Sequence, residues 1–318
     1  MSINALLFGA GGADETIDLG SWKPRRLDDD ELLWIDVEAP DDGDRETIAR
    51  ALKLGDQATV ALASDFGSPD AAIHDGATEV RILLPPDDPD GGATPLRILV
   101  GEGWVVTTHP EPAAFLDEHR ERTRDEREFG RLSAPLFLVS VLDWQVDAFF
   151  RLADTLENEV DQLDDAALRT DRDILDRLMW MRRRVAKIRR ILSPHREVYA
   201  ELARPDFFPD LETSETEALG HLIGRLDRAA EAIGHAREML IGTFEVHMTR
   251  TAQRTNDIMR VLTLASVVLL PSVVLAGVMG MNFKVGFFDN PSVFWFVLAG
   301  MIAMALSTLW LAHWRGWL

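Results

Sequence analysis

The sequence predicts an α+β domain with long helices, followed by two transmembrane helices. Three observations carry this. Residues 261–283 and 290–312 each run 23 positions without a charged side chain, and a helix needs about 20 apolar residues to cross a bilayer core. Residues 1 to about 130 hold short apolar runs punctuated by Gly and Pro, the pattern of strands and turns. From about Ala134 the apolar spacing becomes helical.

The strand signals come first along the chain. Leu32-Leu33-Trp34-Ile35-Asp36-Val37, Glu79-Val80-Arg81-Ile82-Leu83-Leu84, Leu96-Arg97-Ile98-Leu99-Val100 and Trp104-Val105-Val106-Thr107-Thr108 are the clearest. A short helix is expected over 46–54. Residues 1–130 then form a cytoplasmic α/β domain, and 131–255 form a helical stalk region. Ser133 and Pro135 make a usual helix entry. Val146, Phe149, Ala153, Leu156, Val160 and Leu163 keep the helical period, and a second helix from Thr170 or Asp171 runs through Leu192. A third starts near Thr213. Leu219, Leu222, Leu226, Ala229, Ile233, Ala236 and Leu240 alternate by three and four, a coiled-coil-like seam. No Pro interrupts this helix before Pro271. One helix is therefore expected to run from Thr216 to Gly280, on the order of 100 Å at 1.5 Å per residue. The membrane part divides into a first spanning helix at 256–282, a loop at 283–291 on the periplasmic side, a second helix at 292–313 and a cytoplasmic tail at 314–318.

Charge orients the spans. The chain carries 53 acids and 33 bases, a formal net charge of −20. From Arg250 onward there are two acids, Asp257 and Asp289, against five bases, Arg250, Arg254, Arg260, Lys284 and Arg315. Three of those bases precede the first span and one follows the second. Both termini are thus expected in the cytoplasm of a bacterial-type inner membrane. Trp310, Trp314 and Trp317 fit an inner interfacial belt, and Trp295 an outer one. The first residues lack a basic segment followed by an apolar core, so no cleaved signal is expected.

The same composition excludes several chemistries. With no cysteine there are no disulfides, zinc ribbons, Fe–S clusters or thiol nucleophiles. An acidic chain is a poor nucleic-acid ligand, because phosphate contacts need clustered Lys and Arg. Arg182-Arg183-Arg184-Val185-Ala186-Lys187-Ile188-Arg189-Arg190 is such a run, but neutralising acids such as Asp171, Asp173 and Asp176 explains it more simply. Glu217/His221 and Glu231/His235 are i,i+4 pairs that hold a metal or merely support the helix; the second reading is preferred. His109, His195 and His313 have no motif around them. No phosphate loop or catalytic triad order is present, and no enzyme activity is expected.

Two spans cannot enclose a pathway, so ion conduction would require several chains to contribute one helix each. Along the first span Asn256, Met259, Thr263, Ser266, Leu270, Val273 and Gly277 recur within a narrow arc. Such a stripe of amide, hydroxyl, thioether and backbone suits a shared axis or a helix-packing seam equally. The span ends Ala276-Gly277-Val278-Met279-Gly280-Met281-Asn282. Glycines free backbone carbonyls to face an axis, and an uncharged amide oxygen suits a hydrated divalent ion such as Mg²⁺, whose water is costly to strip.

With these residues in view, the chain resembles the CorA metal-ion transporters, a family holding CorA magnesium channels and ZntB zinc transporters. The most specific stretch runs from Asn256-Asp257-Ile258-Met259-Arg260-Val261-Leu262-Thr263 through Leu270-Pro271 to Gly280-Met281-Asn282. Trp317-Leu318, Trp34-Ile35-Asp36-Val37 and Pro194-His195-Arg196-Glu197-Val198-Tyr199 are weaker echoes. The resemblance implies a homopentameric, funnel-shaped channel in the bilayer with no cofactor beyond the transported divalent cation, Mg²⁺ or Zn²⁺. It implies Gly280, Met281 and Asn282 as selectivity filter, with Asn282 holding the hydrated metal ion. Pore-lining roles fall on Asn256, Met259, Leu262, Leu270, Val273 and Gly277, and Thr263 and Ser266 join them from the stripe. Leu262 lies at the margin of that stripe.

Some positions depart from the pattern. The acidic residue usual in the external loop is missing, and Lys284 stands near Asn282. A hydroxyl common at the place of Val273 is absent, and the usual basic tail is reduced to Arg315 beside His313. Leu270-Pro271-Ser272 and His195-Arg196-Glu197-Val198-Tyr199 look closer to the zinc branch, whereas Met281 looks closer to the magnesium branch. The expectation is divalent cation transport of the Mg²⁺ class, with Co²⁺ and Ni²⁺ as further substrates. One alternative is a ZntB-like, proton-coupled Zn²⁺ transporter. Another, of a different class, is a membrane-anchored sensor or scaffold with a degenerate pore.

Overall fold

The computed structural model describes residues 3–9, 15–28, 30–86, 91–113, 116, 133–168, 173–209, 211, 213–281 and 291–315. Its contacts divide the chain into two units, Met1–Thr243 and Phe244–Leu318.

The first unit is built on a seven-stranded sheet. The strands are β1 (Ile3–Phe8), β2 (Glu15–Thr16), β3 (Leu32–Glu38), β4 (Asp70–His74), β5 (Ala77–Leu84), β6 (Thr94–Gly101) and β7 (Trp104–His109). Their spatial order is β2-β1-β3-β7-β6-β5-β4. Among the described residues only β3 and β7 pair in parallel, with Trp34 opposite Val105 and Asp36 opposite Thr107. Successive side chains of a strand point to opposite faces, and both faces here are covered. Leu32, Trp34, Leu96, Ile98, Val100 and Val105 enter one core. Leu33, Ile35, Val37, Leu99 and Val106 enter the other, beneath α1 (Asp42–Leu52) and α2 (Asp56–Ala63). Double coverage explains why β3 reads as a nearly continuous apolar run rather than an alternation. The β6–β7 hairpin turns at Glu102-Gly103, where Gly103 takes φ +76°, and a Cβ on Gly101 would meet the Trp104 indole at 2.2 Å.

Local chemistry sets the helix ends. Asp41 caps α1 by accepting from the Asp44 amide, and the Asp44 carboxylate returns the bond to the Asp41 amide at 3.2 Å, a reciprocal capping box. The end of α2 is fixed by buried Arg97, which donates to the carbonyls of Leu62 and Ser64 and through Nε to Glu79 at 2.8 Å.

Four helices cover the other face: α3 (Ala134–Leu168), α4 (Ile174–Leu192), α5 (His195–Leu202) and the first part of α6 (Thr213–Met279). The predicted seam on α6 is buried from Leu219 to Leu240 at every position named for it, and it joins the core that also holds Val141, Phe149, Leu156 and Val160 of α3. Arg225 of α6 grips Asp143 and Asp147 of α3, and Arg196 of α5 pairs Asp227 at 2.9 Å.

The second unit holds the remainder of α6 and α7 (Pro291–Trp314). Both helices contain an 18-residue apolar window with no residue buried inside the protein. At 67 residues α6 is one helix with Pro271 inside it; Pro271 supplies no N–H to the Val267 carbonyl one turn earlier. The predicted strands, the α3 entry and the long third helix are thus present. Five elements were not anticipated from the sequence: β1, β2, β4, α2 and α5. The predicted start at Thr170 or Asp171 lies outside the described residues, and α4 begins at Ile174.

Candidate functional site: the exposed stripe of the first spanning helix

In the membrane unit, α6 and α7 lie side by side. Leu264 and Val267 of α6 border the same crevice as Thr308, Leu311, Ala312 and Arg315 of α7. The partly buried positions of α6 are Leu264, Val268, Pro271, Ser272, Leu275 and Met279, and those of α7 are Val293, Val297, Met301, Ala305 and Thr308. Steps of three and four, with Pro271 and Ser272 side by side on α6, make each set a single helix face.

Asn256, Met259, Leu262, Thr263, Ser266, Leu270, Val273 and Gly277 are all exposed. At about 100° per residue they fall roughly opposite the partly buried face of α6. Met259, Leu270 and Val273 expose 54%, 66% and 66% of their surface, so this face has no partner among the described residues. Leu262 lies at its edge. The two hydroxyls on the stripe are satisfied by the helix itself. Thr263 donates to the Met259 carbonyl at 2.7 Å and Ser266 to the Leu262 carbonyl at 2.9 Å. Each hydroxyl oxygen keeps acceptor capacity outward, which a hydrated cation can use. After Met279 the helix tightens: the Gly280 amide donates to the Ala276 carbonyl at 3.0 Å and Met281 to Val278 at 3.2 Å. A Cβ on Gly280 would lie 3.3 Å from the Ala276 carbonyl oxygen, so the turn is close to backbone contact. Asn282, Lys284 and Asp289 lie outside the described residues.

Sites in the first unit resolve differently from the stripe. Among the described residues no group of three or more His, Asp or Glu is placed to hold a metal ion. His235 faces Glu157 of α3 at 3.4 Å. Arg184 pairs with Glu159 of α3 and stacks on Trp180, with Cζ 5.1 Å from the ring centroid. For Arg184 the neutralising acid is thus on the neighbouring helix, while Asp171 lies outside the described residues. Arg182, Arg183, Arg189 and Arg190 make no ion pair among the described residues.

His195 is the residue whose role the sequence concealed. It is fully buried and its Nε2 accepts the Leu83 amide at 2.9 Å, while Nδ1 lies 3.2 Å from the Leu192 carbonyl. The Leu83 carbonyl accepts from Gln145 Nε2 at 2.7 Å, and Tyr199 donates to Gln145 Oε1 at 2.5 Å. Leu83 lies beyond the end of β4, whose pairing with β5 stops at Arg81. Side chains of α3 and α5 therefore complete the edge of β5. Burial drives the His195 pKa down to about 4, so it is a neutral structural acceptor. A second buried network ties Trp34 to Thr107 at 3.0 Å, Thr107 to Asp36 at 2.6 Å, and His109 to Asp36 at 3.3 Å. Burial opposes charge on His109, but Asp36 and the Glu111 carbonyl outweigh it, and its pKa is raised.

Comparison with known proteins decides what kind of chain carries this stripe. The family model described as CorA-like Mg2+ transporter protein matches residues 29–313. The chain belongs to the CorA family. The cobalt/magnesium transport protein CorA of Thermotoga maritima is 29% identical over 191 residues, 59% of this chain and 54% of that protein, so the match spans about half of that relative. The zinc transport protein ZntB of Klebsiella pneumoniae is 24% identical, across 80% of this chain and 78% of its own. The solved CorA magnesium transporter of Methanocaldococcus jannaschii superimposes with a TM-score of 0.83 at 19% identity, covering 100% of both chains. That likeness establishes the fold: a mixed sheet, long helices and two C-terminal helices long and apolar enough to cross a membrane.

Proposed function

We propose that the protein transports divalent cations across the inner membrane through a pore shared by five copies. The observation that carries this reading is the exposed stripe from Asn256 to Gly277, opposite the face of α6 turned to α7. A polar and small-residue face left open on an apolar helix has two uses in a bilayer, packing and lining a path. Five copies around one axis satisfy both at once. Membership of the CorA family supports the same reading. In it, Gly280, Met281 and Asn282 form the entrance, with Asn282 amide oxygens bonded to the water of the arriving ion. Asn256, Met259, Leu262, Thr263, Ser266, Leu270, Val273 and Gly277 line the path below. The termini face the cytoplasm and 283–291 faces outward, as the flanking bases direct.

Magnesium-class transport, with Co²⁺ and Ni²⁺ as further substrates, is the first reading. A zinc-specific, proton-coupled transporter is the second, supported by the ZntB relative. Purified protein in vesicles separates them. Mg²⁺ entry without a pH gradient supports the first; Zn²⁺ entry that collapses when the gradient is abolished supports the second. Assembly with no divalent flux would leave a membrane-anchored scaffold.

A further inference from the structure

We infer that the crevice between α6 and α7 at the Arg315 end holds an anionic phospholipid of the leaflet that meets it. Leu264, Val267, Leu311 and Ala312 give it apolar walls, Thr308 lies between them, and Arg315 stands at its rim. Its volume is about 110 Å³, enough for part of an acyl chain and too small for a folded segment. The Thr308 hydroxyl donates to the Met304 carbonyl at 2.8 Å, so its proton needs no partner from an occupant of the crevice.

The rim has the opposite character. Arg315 makes no ion pair among the described residues, and α7 contains no acid along its length. Trp310 and Trp314, in the last turns of the same helix, stack on each other with ring centroids 6.4 Å apart and planes 5° from parallel, and expose 67% and 72% of their surfaces. Exposed Trp at the end of a spanning helix belongs at headgroup depth. An unpaired guanidinium at that depth, above an apolar slot between two helices, matches a lipid phosphate over its chain. The inference rests on α6 and α7 spanning a bilayer, and goes beyond ion transport.

The test uses full-length protein in detergent, stripped of lipid and titrated with phosphatidylglycerol or phosphatidylcholine, with occupancy read by native mass spectrometry. Phosphatidylglycerol should bind more tightly than phosphatidylcholine. Arg315→Gln should weaken phosphatidylglycerol about fivefold, the effect of one basic residue at a lipid surface. Arg315→Lys should restore most of it, and Arg250→Gln should leave it unchanged. Excess inorganic phosphate should fail to displace the lipid, because it cannot fill the slot. Equal binding of both lipids, an unaltered Arg315→Gln variant, an equal loss in Arg250→Gln, or displacement by inorganic phosphate would each overturn the site. Divalent flux in vesicles reports separately on the transport reading.

Discussion

His195 accepts the Leu83 amide with the nitrogen that an added proton would occupy. Protonation therefore breaks the link between α5 and β5, and burial already resists it. The sign follows from the lowered folded pKa. The stabilisation is complete above the unfolded value near 6.5 and is lost as pH falls toward about 4. A shift of that size amounts to on the order of 3 kcal/mol. In pH-dependent thermal melts, His195→Gln, which keeps an acceptor but does not titrate, should flatten the fall between pH 6.5 and 4; an unchanged slope would remove His195 as its source. Asn282 belongs at this scale too. Asn282→Ala should abolish most divalent flux while assembly is retained, checked by vesicle uptake; parental rates for Mg²⁺, Co²⁺, Ni²⁺ and Zn²⁺ would rule out the amide filter. The exposed face of α6 and His195 differ in how far the sequence revealed them. The stripe was legible because a helix puts every third and fourth residue on one face. His195 was not, because its partner Leu83 lies 112 positions away and only the folded sheet edge creates the need for an acceptor.

At the scale of elements, α6 joins two kinds of packing in one helix. Its first part buries Leu219 to Leu240 against α3 and the rest of the first core, and its last part leaves an apolar surface exposed. Leu226 is 1% exposed, so Leu226→Ala should cost about 2–5 kcal/mol by denaturant unfolding in detergent. Arg225→Gln breaks two ion pairs to α3, but all three side chains are partly solvated at 29–44% exposure. Its cost should stay within about 1 kcal/mol. A reversal of that order would mean that ion pairs rather than the apolar seam hold α6 to the sheet unit. The long helix was readable because its alternation by three and four persists for six turns with no Pro. Edge strand β4 was not: Asp-Ala-Ala-Ile-His carries only one large apolar side chain, Ile73, and it is 45% exposed. Nor was α5, whose eight residues follow α4 after only Ser193 and Pro194.

For the whole molecule, the family agrees with the resemblance carried by the stretch from Asn256 to Asn282, and the sheet, the long helices and the two apolar C-terminal helices agree with what charge-free length and apolar period predicted. The number of copies is a separate matter, because a periodic stripe fixes which face is shared but not how many helices share it. Five copies should appear as a single species of about five times 35.6 kDa by native mass in mild detergent; a functional species of one or two chains would contradict the shared pore. The central claim, that this chain moves divalent cations, is tested most directly by reconstituting it into vesicles loaded with a divalent-sensitive dye and adding Mg²⁺, Co²⁺, Ni²⁺ or Zn²⁺ outside. The account predicts entry of at least one of these ions well above protein-free vesicles, and loss of that entry in Asn282→Ala. Assembled protein that admits none of the four, with or without a pH gradient, would contradict it.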